Sequence, residues 1–242
     1  MFEDHTINQK YIDYIQPLNQ DIFTLIHARM LSFDRFWYQK KILDYGCNNG
    51  HLLKTSQNLI IQENYLGIDI QHKPLSIAKS QFINAEFVYF NGFHVAFNPL
   101  GKEKFPTNIK FNPDIIICHG LFTHCDLVTI LETLDYFKSI VNKPGYIIFS
   151  IWEDFHLPQY AGIFLKNRLQ VNLPEKIYMT EFTKSFYLIN RDYSVIDTDK
   201  LNLNYCVWIE TFYKKKYLLE KIPNTFIPDG PKSKHTIVVL PI

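Results

Sequence analysis

The sequence lacks the features that mark secreted and membrane-spanning proteins. Its 242 residues include only four cysteines, and no two of them form a Cys-x-x-Cys pair. We therefore expect reduced and mostly buried thiols in a cytoplasmic protein. No apolar run approaches the roughly 18–20 residues that span a bilayer, and the opening Met-Phe-Glu-Asp-His-Thr does not have the pattern of a signal peptide. These absences predict a protein with no membrane partner.

An excess of charge of one sign is also absent. The chain has 25 Lys and Arg residues against 24 Asp and Glu residues, a formal net charge of +1. A protein that binds nucleic acid usually carries a basic face, and we interpret the one dense basic run, Lys214–Lys216, as solvated surface. We therefore expect a small-molecule partner and no nucleic acid. Hydrophobic residues make up 47% of the chain and aromatic residues 16%, which is ample for the core of one large domain.

The order of the predicted elements indicates an α/β protein. Short β-branched or aromatic runs alternate with amphipathic runs over residues 41–242. This pattern favours a Rossmann-like, doubly wound, seven-stranded and mostly parallel sheet with helices on both faces. The predicted strands are Lys41–Tyr45, Tyr65–Asp69, Phe87–Phe90, Asp114–Cys118, Gly145–Ile151, Tyr193–Asp197 and Thr236–Leu240. The predicted helices are Gly50–Gln57, Pro74–Phe82, Leu127–Val141 and Met179–Ile189.

Segments outside this alternation extend the domain. Residues 1–40 have helical apolar spacing, so we expect an N-terminal helical extension that Pro17 divides in two. Two stretches, His94–Asn112 and Trp152–Lys176, are longer than the usual connections of a compact domain. The second is aromatic and follows the end of the fifth strand, so we predict that it is a lid over the substrate. Tyr205–Tyr217 is aromatic and basic and is a further candidate for the border of the pocket.

The most informative motif is Ile42–Gly50, Ile-Leu-Asp-Tyr-Gly-Cys-Asn-Asn-Gly. An apolar run ends at Asp44 and breaks into a glycine-containing turn, and a second acidic residue, Asp69, follows 19 residues after Gly50. Such a pair indicates a nucleotide-type cofactor at the first strand–helix turn of an α/β sheet. A pyrophosphate-binding turn uses three glycines, whereas the middle position here is Asn48 and Asp44 would repel a phosphate. A cofactor with an ammonium group and no phosphate fits this turn better.

These residues resemble the cofactor turn of class I S-adenosylmethionine-dependent methyltransferases. The resemblance continues in chain order through Pro113–His124, which is similar to the family's fourth strand and the turn after it, and through Lys143–Ser150, which is similar to its fifth-strand segment. It covers Lys41–Ser150 well and the remainder loosely. Asn48 departs from the usual glycine, a substitution that the family tolerates and that can reshape the turn.

The resemblance implies S-adenosylmethionine as the cofactor and S-adenosylhomocysteine as its product. Asp44 is suited to the amides of the turn and to the cofactor's ammonium group, and Asp69 to the two ribose hydroxyls, with a helix N-cap as its alternative role. Asn91 is suited to the adenine amino group or, equally, to an ordinary turn before Gly92. The implied cofactor contacts are Asp44, Gly46, Cys47, Asn48, Gly50, Asp69, Ile70, Asn91, Gly92 and His119.

Three histidines are candidates for a general base, because an imidazole titrates near ~6.5 and suits proton removal from a hydroxyl or an amine. His119 ends the fourth strand, His156 lies in the predicted lid, and His124 begins the helix after the fourth strand. An acceptor that is already anionic would need no base. We expect no metal, because metal-dependent members of the family use an acidic cluster after the fourth strand and Cys118-His119-Gly120 does not supply one.

Three functions are open from the sequence. The first is methyl transfer to an oxygen of a small polar metabolite, such as a sugar, a nucleotide-linked compound or a phosphate-type acceptor, and the near-neutral charge and the predicted lid favour it. The second is modification of RNA, for which Lys214–Lys216 and exposed aromatic residues are the features. The third is a non-catalytic module of the same fold, against which the intact set of Asp44, Gly46, Gly50 and Asp69 argues.

Overall fold

A largely parallel sheet forms the centre of the structure. The computed structural model describes residues 21–94, 98, 100–107, 109–153, 177–179, 183–189, 206–230, 233 and 235–242. The strands in these residues are β1 Ile42–Tyr45, β2 Tyr65–Asp69, β3 Glu86–Tyr89, β4 Ile115–Cys118, β5 Tyr146–Glu153, β6 Ile177–Met179, β7 Thr183–Ile189, β8 Cys206–Tyr213 and β9 Thr236–Pro241. The α-helices are α1 Ile22–Met30, α2 His51–Thr55, α3 His72–Gln81, α4 Leu127–Ile140 and α5 Lys215–Lys221.

Five parallel strands lie in the order β3-β2-β1-β4-β5. Next to β5 runs β9, which is antiparallel to it, with Ile151 opposite Thr236. The carboxyl end of β5 also pairs with β8, Trp152 opposite Phe212, and β8, β7 and β6 continue as an antiparallel meander. The strand order reverses between β1 and β4, which creates a crevice outside the carboxyl ends of these two strands.

Helices cover both faces of the sheet, as predicted. Because the strands are buried on both sides, they are near-continuous apolar runs such as Ile115–Cys118. One face packs against α4 and α5, and the other packs against α1, α2 and α3. The buried helical residues of the first face are Ile130, Leu134, Phe137 and Leu218. Those of the second face are Phe23, Ile26, Met30, Leu52, Leu53, Leu75 and Ala78.

Most of the predicted elements are confirmed. The strands β1 to β5 and β9 begin and end within two residues of the predicted bounds, and so do α2, α3 and α4. Within the N-terminal extension, Ile22–Met30 is a helix that packs into the same core as the sheet. Residues 1–20, which include Pro17, lie outside the described residues, as does the predicted strand Tyr193–Asp197.

The prediction of a helix over Met179–Ile189 is wrong. Thr183–Ile189 forms β7, which pairs with β6 on one side and β8 on the other. The segment Thr-Lys-Ser-Phe-Tyr-Leu-Ile is rich in the β-branched and aromatic residues that fit a pleated strand, and its pairing with β6 and β8 decides its conformation. With this meander the sheet has nine described strands where seven were predicted.

The strand β5 extends two residues further than predicted. It continues through Glu153, so Trp152, which was assigned to the start of the lid, is a buried strand residue. The rest of the predicted lid, residues 154–176, lies outside the described residues. Among the residues that the structure describes, no helix is both long enough and apolar enough to cross a membrane.

Candidate active site

The turn after β1 contains three residues with left-handed backbone. Gly46, Asn48 and Gly50 have φ angles of +82°, +53° and +76°, a region that L-residues rarely adopt and glycine adopts readily. The amides of Gly46 and Cys47 both donate to the carbonyl of Ile68 in β2, at 2.8 and 3.0 Å. The neighbouring strand therefore fixes the position of the turn at the strand ends.

Asn48 takes the place of the family's middle glycine without losing the glycine-like backbone. Asparagine tolerates the left-handed region better than most side chains because its short amide bonds to nearby backbone. Here its Oδ1 accepts from the amide of Asn49 at 2.8 Å. The substitution therefore preserves the shape of the turn and adds a polar side chain at the rim of the crevice.

Asp69 ends β2 and anchors the turn. Its Oδ2 accepts from the amide of Asn48 at 2.8 Å and its Oδ1 accepts from the amide of Gln71 at 2.9 Å. Burial raises the pKa of this carboxyl, and the backbone hydrogen bonds oppose that rise. The N-cap position of α3 is Gln71, so Asp69 does not have the alternative role of N-cap. Each carboxylate oxygen can accept a further hydrogen bond, so Asp69 can still receive two hydroxyls.

Asp44 is buried at the end of β1. The hydroxyl of Tyr65 donates to its Oδ2 at 2.5 Å. Burial raises the pKa of Asp44 to about 7, the hydrogen bond from Tyr65 lowers it, and the nearby Asp69 raises it. A cationic ligand favours the charged form of such a carboxyl, so Asp44 has the chemistry of a site for an ammonium group.

A cavity of about 520 Å³ lies at the carboxyl ends of β1, β2 and β4. This volume is within the range of sites for small ligands. Seven of the ten implied cofactor contacts line it: Asp44, Gly46, Cys47, Asn48, Asp69, Ile70 and His119. The wall also contains the apolar side chains of Phe90, Phe93 and Leu121 and the polar ones of Gln71, His94, Lys104 and His124.

The other three implied contacts, Gly50, Asn91 and Gly92, are not among the residues that line this cavity. A Cβ atom on Gly50 would lie 2.8 Å from the ring of Phe82, so this glycine allows the turn to pack against the end of α3. The Oδ1 of Asn91 accepts from the hydroxyl of Tyr89 and from the side-chain amide of Asn98, both at 3.2 Å. Gly92 is buried, and a Cβ atom on it would lie 2.2 Å from the ring of Phe90. These contacts give Asn91 and Gly92 a role in shaping the loop after β3.

Comparison with known proteins identifies the family. A family model described as a methyltransferase domain matches residues 8–183, which is more than half of the chain. The chain belongs to the class I S-adenosylmethionine-dependent methyltransferases. S-adenosylmethionine is the cofactor of this family, and the buried carboxylates of Asp44 and Asp69 fit its ammonium group and its ribose hydroxyls.

Solved structures confirm the methyltransferase fold. A S-adenosylmethionine-dependent methyltransferase from Clostridium acetobutylicum ATCC 824 is 12% identical, covers 97% of this chain and 96% of its own, and has a TM-score of 0.51. The DhpI–SAH complex is 10% identical, with 97% and 89% covered and a TM-score of 0.54. A putative O-methyltransferase from Nostoc punctiforme PCC 73102 is 12% identical, with 99% and 61% covered and a TM-score of 0.52. No curated protein matches the chain significantly.

Two of the three candidate bases of the methyltransferase reach the cavity. Asp44 is opposite Ile117 in the β1–β4 register, so His119, two residues further on, is level with Gly46 of the cofactor turn. His124 ends a short 3-10 helix, Phe122–His124, and its ring centroid lies 6.2 Å from that of His94. The third candidate, His156, lies outside the described residues.

The sequence did not single out His94 and Lys104, which also line the cavity. Both belong to the stretch His94–Asn112, whose unusual length was the signal that could have found them. Burial, and to a smaller extent the proximity of His124, lower the pKa of His94 to about 4, so the imidazole is neutral near pH 7. The ammonium group of Lys104 lies 2.8 Å from the carboxylate of Glu132 on α4.

The thiols at the cavity are not suited to nucleophilic chemistry. Cys47 and Cys125 line it, and both are free. Burial raises the pKa of Cys47 far above its usual value and that of Cys125 to about 12, so both remain protonated, and the thiolate is the nucleophilic form. Within the described parts of the chain, no cluster of three or more His, Cys, Asp or Glu side chains could hold a metal ion.

Proposed function

We propose that this methyltransferase transfers the methyl group of S-adenosylmethionine to an oxygen atom of a small polar metabolite. Sugars, nucleotide-linked compounds and phosphate-type compounds are the acceptor classes. The observation that carries the proposal is the order of three side chains across the strand ends. Asp69 ends β2, Asp44 is the penultimate residue of the neighbouring β1, and His119 follows β4 on the other side of β1. A cofactor bound by the first two residues would lie beside the third.

Different residues of the cavity would contact different parts of the cofactor. Asp69 would accept from the ribose hydroxyls, and Asp44 would pair with the ammonium group. The apolar side chains of Ile70, Phe93 and Leu121 would suit the flat face of adenine. The bound cofactor supplies a methyl group that the positive sulfur already activates. The main task left to the protein is to align acceptor, methyl carbon and sulfur, and such positioning can lower a barrier by roughly 7–11 kcal/mol.

The choice of oxygen rests on the histidines at the cavity. A hydroxyl loses its proton as it attacks the methyl carbon, and an imidazole can remove that proton near neutral pH. His119 is the principal candidate for this base, because it is level with the cofactor turn. His124 is a second candidate from the same loop. His156 is a third, within residues 154–176, which follow β5 and which we propose as a lid on the acceptor.

The choice of a small acceptor rests on volume and charge. A cavity of about 520 Å³ suits a cofactor and a metabolite. The side chains of Lys214–Lys216 are exposed, and Lys216 lies 3.9 Å from Glu220 on the same helix, which fits a solvated surface better than a path for RNA. The free thiols of Cys47, Cys118 and Cys125 fit a reducing compartment, so we propose that the enzyme is cytoplasmic.

Transfer of a labelled methyl group tests the proposal. The protein is incubated with S-adenosylmethionine carrying a labelled methyl group and, separately, with monosaccharides, nucleotides, phosphate monoesters, amines and total RNA. We expect label on an oxygen of one small acceptor and none on RNA. Label on RNA, weakened steeply by added salt as phosphate contacts are, would support the RNA-modifying function instead. Binding of the cofactor with label on a nitrogen only would contradict the choice of oxygen.

A further inference from the structure

A tyrosine of the core contacts one wall residue of the cavity. Tyr65 begins β2, is 1% exposed and does not itself line the cavity. Its hydroxyl donates to Oδ2 of Asp44 at 2.5 Å, and Asp44 does line the cavity. The parallel pairing of β1 with β2 brings these two residues together. Their hydrogen bond therefore connects the candidate cofactor site to the core of the sheet.

The strand register explains the surroundings of this pair. Asp44 is opposite Gly67, which follows Tyr65 by two residues in β2. Residues two apart in a strand lie on the same face of a sheet, so Tyr65 and Gly67 share a face. A Cβ atom on Gly67 would lie 2.6 Å from the ring of Phe87 and 2.8 Å from Sγ of Cys47. An aromatic ring and a thiol therefore fill the space beside this position, and the Tyr65 hydroxyl supplies a strong hydrogen bond that they do not.

The charge of Asp44 depends on the groups that face it. From β2 this carboxyl faces Tyr65 and Asp69. From the turn it faces Cys47, and from β4 it faces Cys118. Burial raises the pKa of both thiols far above the usual value, so neither is charged near pH 7. Burial also raises the pKa of Asp44, the hydrogen bond from Tyr65 lowers it, and the charge of Asp69 raises it. Of these groups, Tyr65 is the one that favours the carboxylate.

The hydrogen bond also restrains the orientation of the carboxylate. Its length of 2.5 Å is that of a charge-assisted bond between a hydroxyl and a carboxylate. Burial raises the pKa of Tyr65, so its hydroxyl stays protonated and remains the donor. Because Oδ2 of Asp44 is bound on the core side, Oδ1 is the oxygen that can turn toward a cation in the cavity.

We propose that Tyr65 is a positioning residue for the cofactor, whose hydroxyl holds the carboxylate of Asp44 ionised and oriented to receive the ammonium group of S-adenosylmethionine. This inference rests on the proposed function, and in particular on the assignment of the ammonium group to Asp44. Tyr65 lies outside the cavity and acts through Asp44. Loss of its hydroxyl should therefore weaken binding most where Asp44 of the free protein is protonated, because binding must then remove a proton.

This role has a pH dependence that a merely structural role does not have. Without the hydrogen bond, the pKa of Asp44 in the free protein rises further. Well below both pKa values, the variant binds more weakly than the wild type by the full difference between them. Above both values, Asp44 is ionised in both proteins and the difference disappears. Titration of the cofactor's own amino group cancels in the ratio of the two affinities, because both proteins bind the same ligand.

Calorimetric titration with S-adenosylmethionine at pH 6, 7 and 8.5 measures this ratio. Tyr65→Phe keeps the ring and removes the hydroxyl. The matched control is Tyr146→Phe, which removes a tyrosine hydroxyl outside the cavity, 3.5 Å from the carbonyl of Phe33. Asp44→Asn, alone and combined with Tyr65→Phe, completes a double-mutant cycle. A protein with 3-fluorotyrosine in place of Tyr65 keeps the ring and the hydroxyl but makes the hydroxyl a stronger donor. Thermal unfolding is measured for every protein.

We expect Tyr65→Phe to bind the cofactor roughly tenfold or more weakly than the wild type at pH 6, as for loss of a hydrogen bond to a charged group. This ratio should fall at least about fivefold by pH 8.5. Tyr146→Phe should bind like the wild type at each pH. In the Asp44→Asn protein, Tyr65→Phe should add no pH-dependent loss. A ratio that is the same at each pH, or wild-type affinity at pH 6 in folded Tyr65→Phe, would overturn the inference.

The fluorinated protein decides the question if Tyr65→Phe does not fold. Its affinity relative to the wild type should be higher at pH 6 than at pH 8.5, and an unchanged relative affinity would overturn the inference. Two other results would locate a failure elsewhere. Wild-type affinity in Asp44→Asn would remove the ammonium group from Asp44 and the inference with it. If the wild-type protein bound no cofactor, the proposed function itself would fail.

Discussion

Asp44 and Asp69 lie at the carboxyl ends of neighbouring strands, but their surroundings give them different chemistry. Asp69 receives two backbone amides, which compensate part of its burial. Asp44 receives one hydroxyl, from Tyr65, and is almost fully buried. Burial therefore raises the pKa of Asp44 to about 7, and its charge is stabilised most when a cation is bound.

Cofactor affinity should therefore depend on pH through Asp44. A cation binds the ionised carboxylate, and the ionised fraction grows as the pH rises through about 7. We predict that affinity for S-adenosylmethionine rises roughly five- to tenfold between pH 6 and 7.5, measured by calorimetry. The cofactor's own amino group also titrates near this range, so Asp44→Asn is the control. The account is contradicted if the variant shows the same slope as the wild type.

The two glycines of the turn have different neighbours and should respond differently to alanine. Both have positive φ, so alanine costs roughly 1–2 kcal/mol of backbone strain at either position. At Gly46 the added Cβ would lie 3.2 Å from Leu121, another cavity residue. At Gly50 it would lie 2.8 Å from Phe82, which does not line the cavity. We predict that Gly46→Ala chiefly weakens cofactor binding and Gly50→Ala chiefly lowers the free energy of unfolding.

Urea unfolding and calorimetric titration of both variants measure this difference. Gly50→Ala should unfold at a lower urea concentration than Gly46→Ala. The folded fraction of Gly50→Ala should bind the cofactor more tightly than Gly46→Ala does. Wild-type affinity in a folded Gly46→Ala would show that the turn does not approach the cofactor at this residue.

At the scale of elements, the sequence correctly predicted the helices and strands that local patterns determine. Apolar runs bounded by turn residues gave β1 to β5, and the amphipathic run over Leu127–Val141 gave α4 to within one residue. The failure at Met179–Ile189 has a cause in strand pairing, because β7 pairs with β6 just before it and with β8, whose partner residues lie 17 to 30 positions further along the chain. A helical period and a strand period are hard to separate in such a short aromatic run.

The residues of the candidate site also fall into those that local sequence patterns predict and those that only the folded structure brings together. Asp44, Gly46 and Asp69 were predictable because a strand, a turn and the next strand place them together within 26 residues. His94 reaches the strand ends from a long loop, and only the folded structure brings it near His124. Side chains that meet only through tertiary contacts have no characteristic spacing in the sequence by which they could be recognised.

The proposed lid makes an element-scale prediction. If residues 154–176 cover the acceptor, His156→Ala should reduce turnover far more than cofactor affinity, because the acceptor and not the cofactor depends on it. A loss of about a hundredfold or more would fit a general base. Steady-state kinetics and calorimetry on the same preparation measure the two effects. If His119→Ala shows this pattern and His156→Ala does not, the base belongs to the β4 loop.

At the scale of the whole molecule, the parallel sheet places the residues of the candidate site at the carboxyl ends of its strands. Strand order brings two carboxylates, a glycine turn and several imidazoles to the carboxyl ends of β1, β2, β4 and β5. The amino ends of these strands contribute no residue to the described cavity. Proteins of one fold can act on many different substrates. The methyltransferase fold therefore does not identify the acceptor, which the residues beside His119 would select.

The central claim is that Asp69 and its neighbours bind S-adenosylmethionine, and calorimetric titration of Asp69→Ala beside the wild type tests it most directly. The wild type should bind one equivalent. Asp69→Ala should lose roughly 1.5–3 kcal/mol of binding free energy, about 10- to 150-fold in dissociation constant. The control Asp135→Ala, an exposed carboxylate on α4, should bind like the wild type. An unchanged dissociation constant in Asp69→Ala, or no binding by the wild type at high micromolar cofactor, would contradict the account.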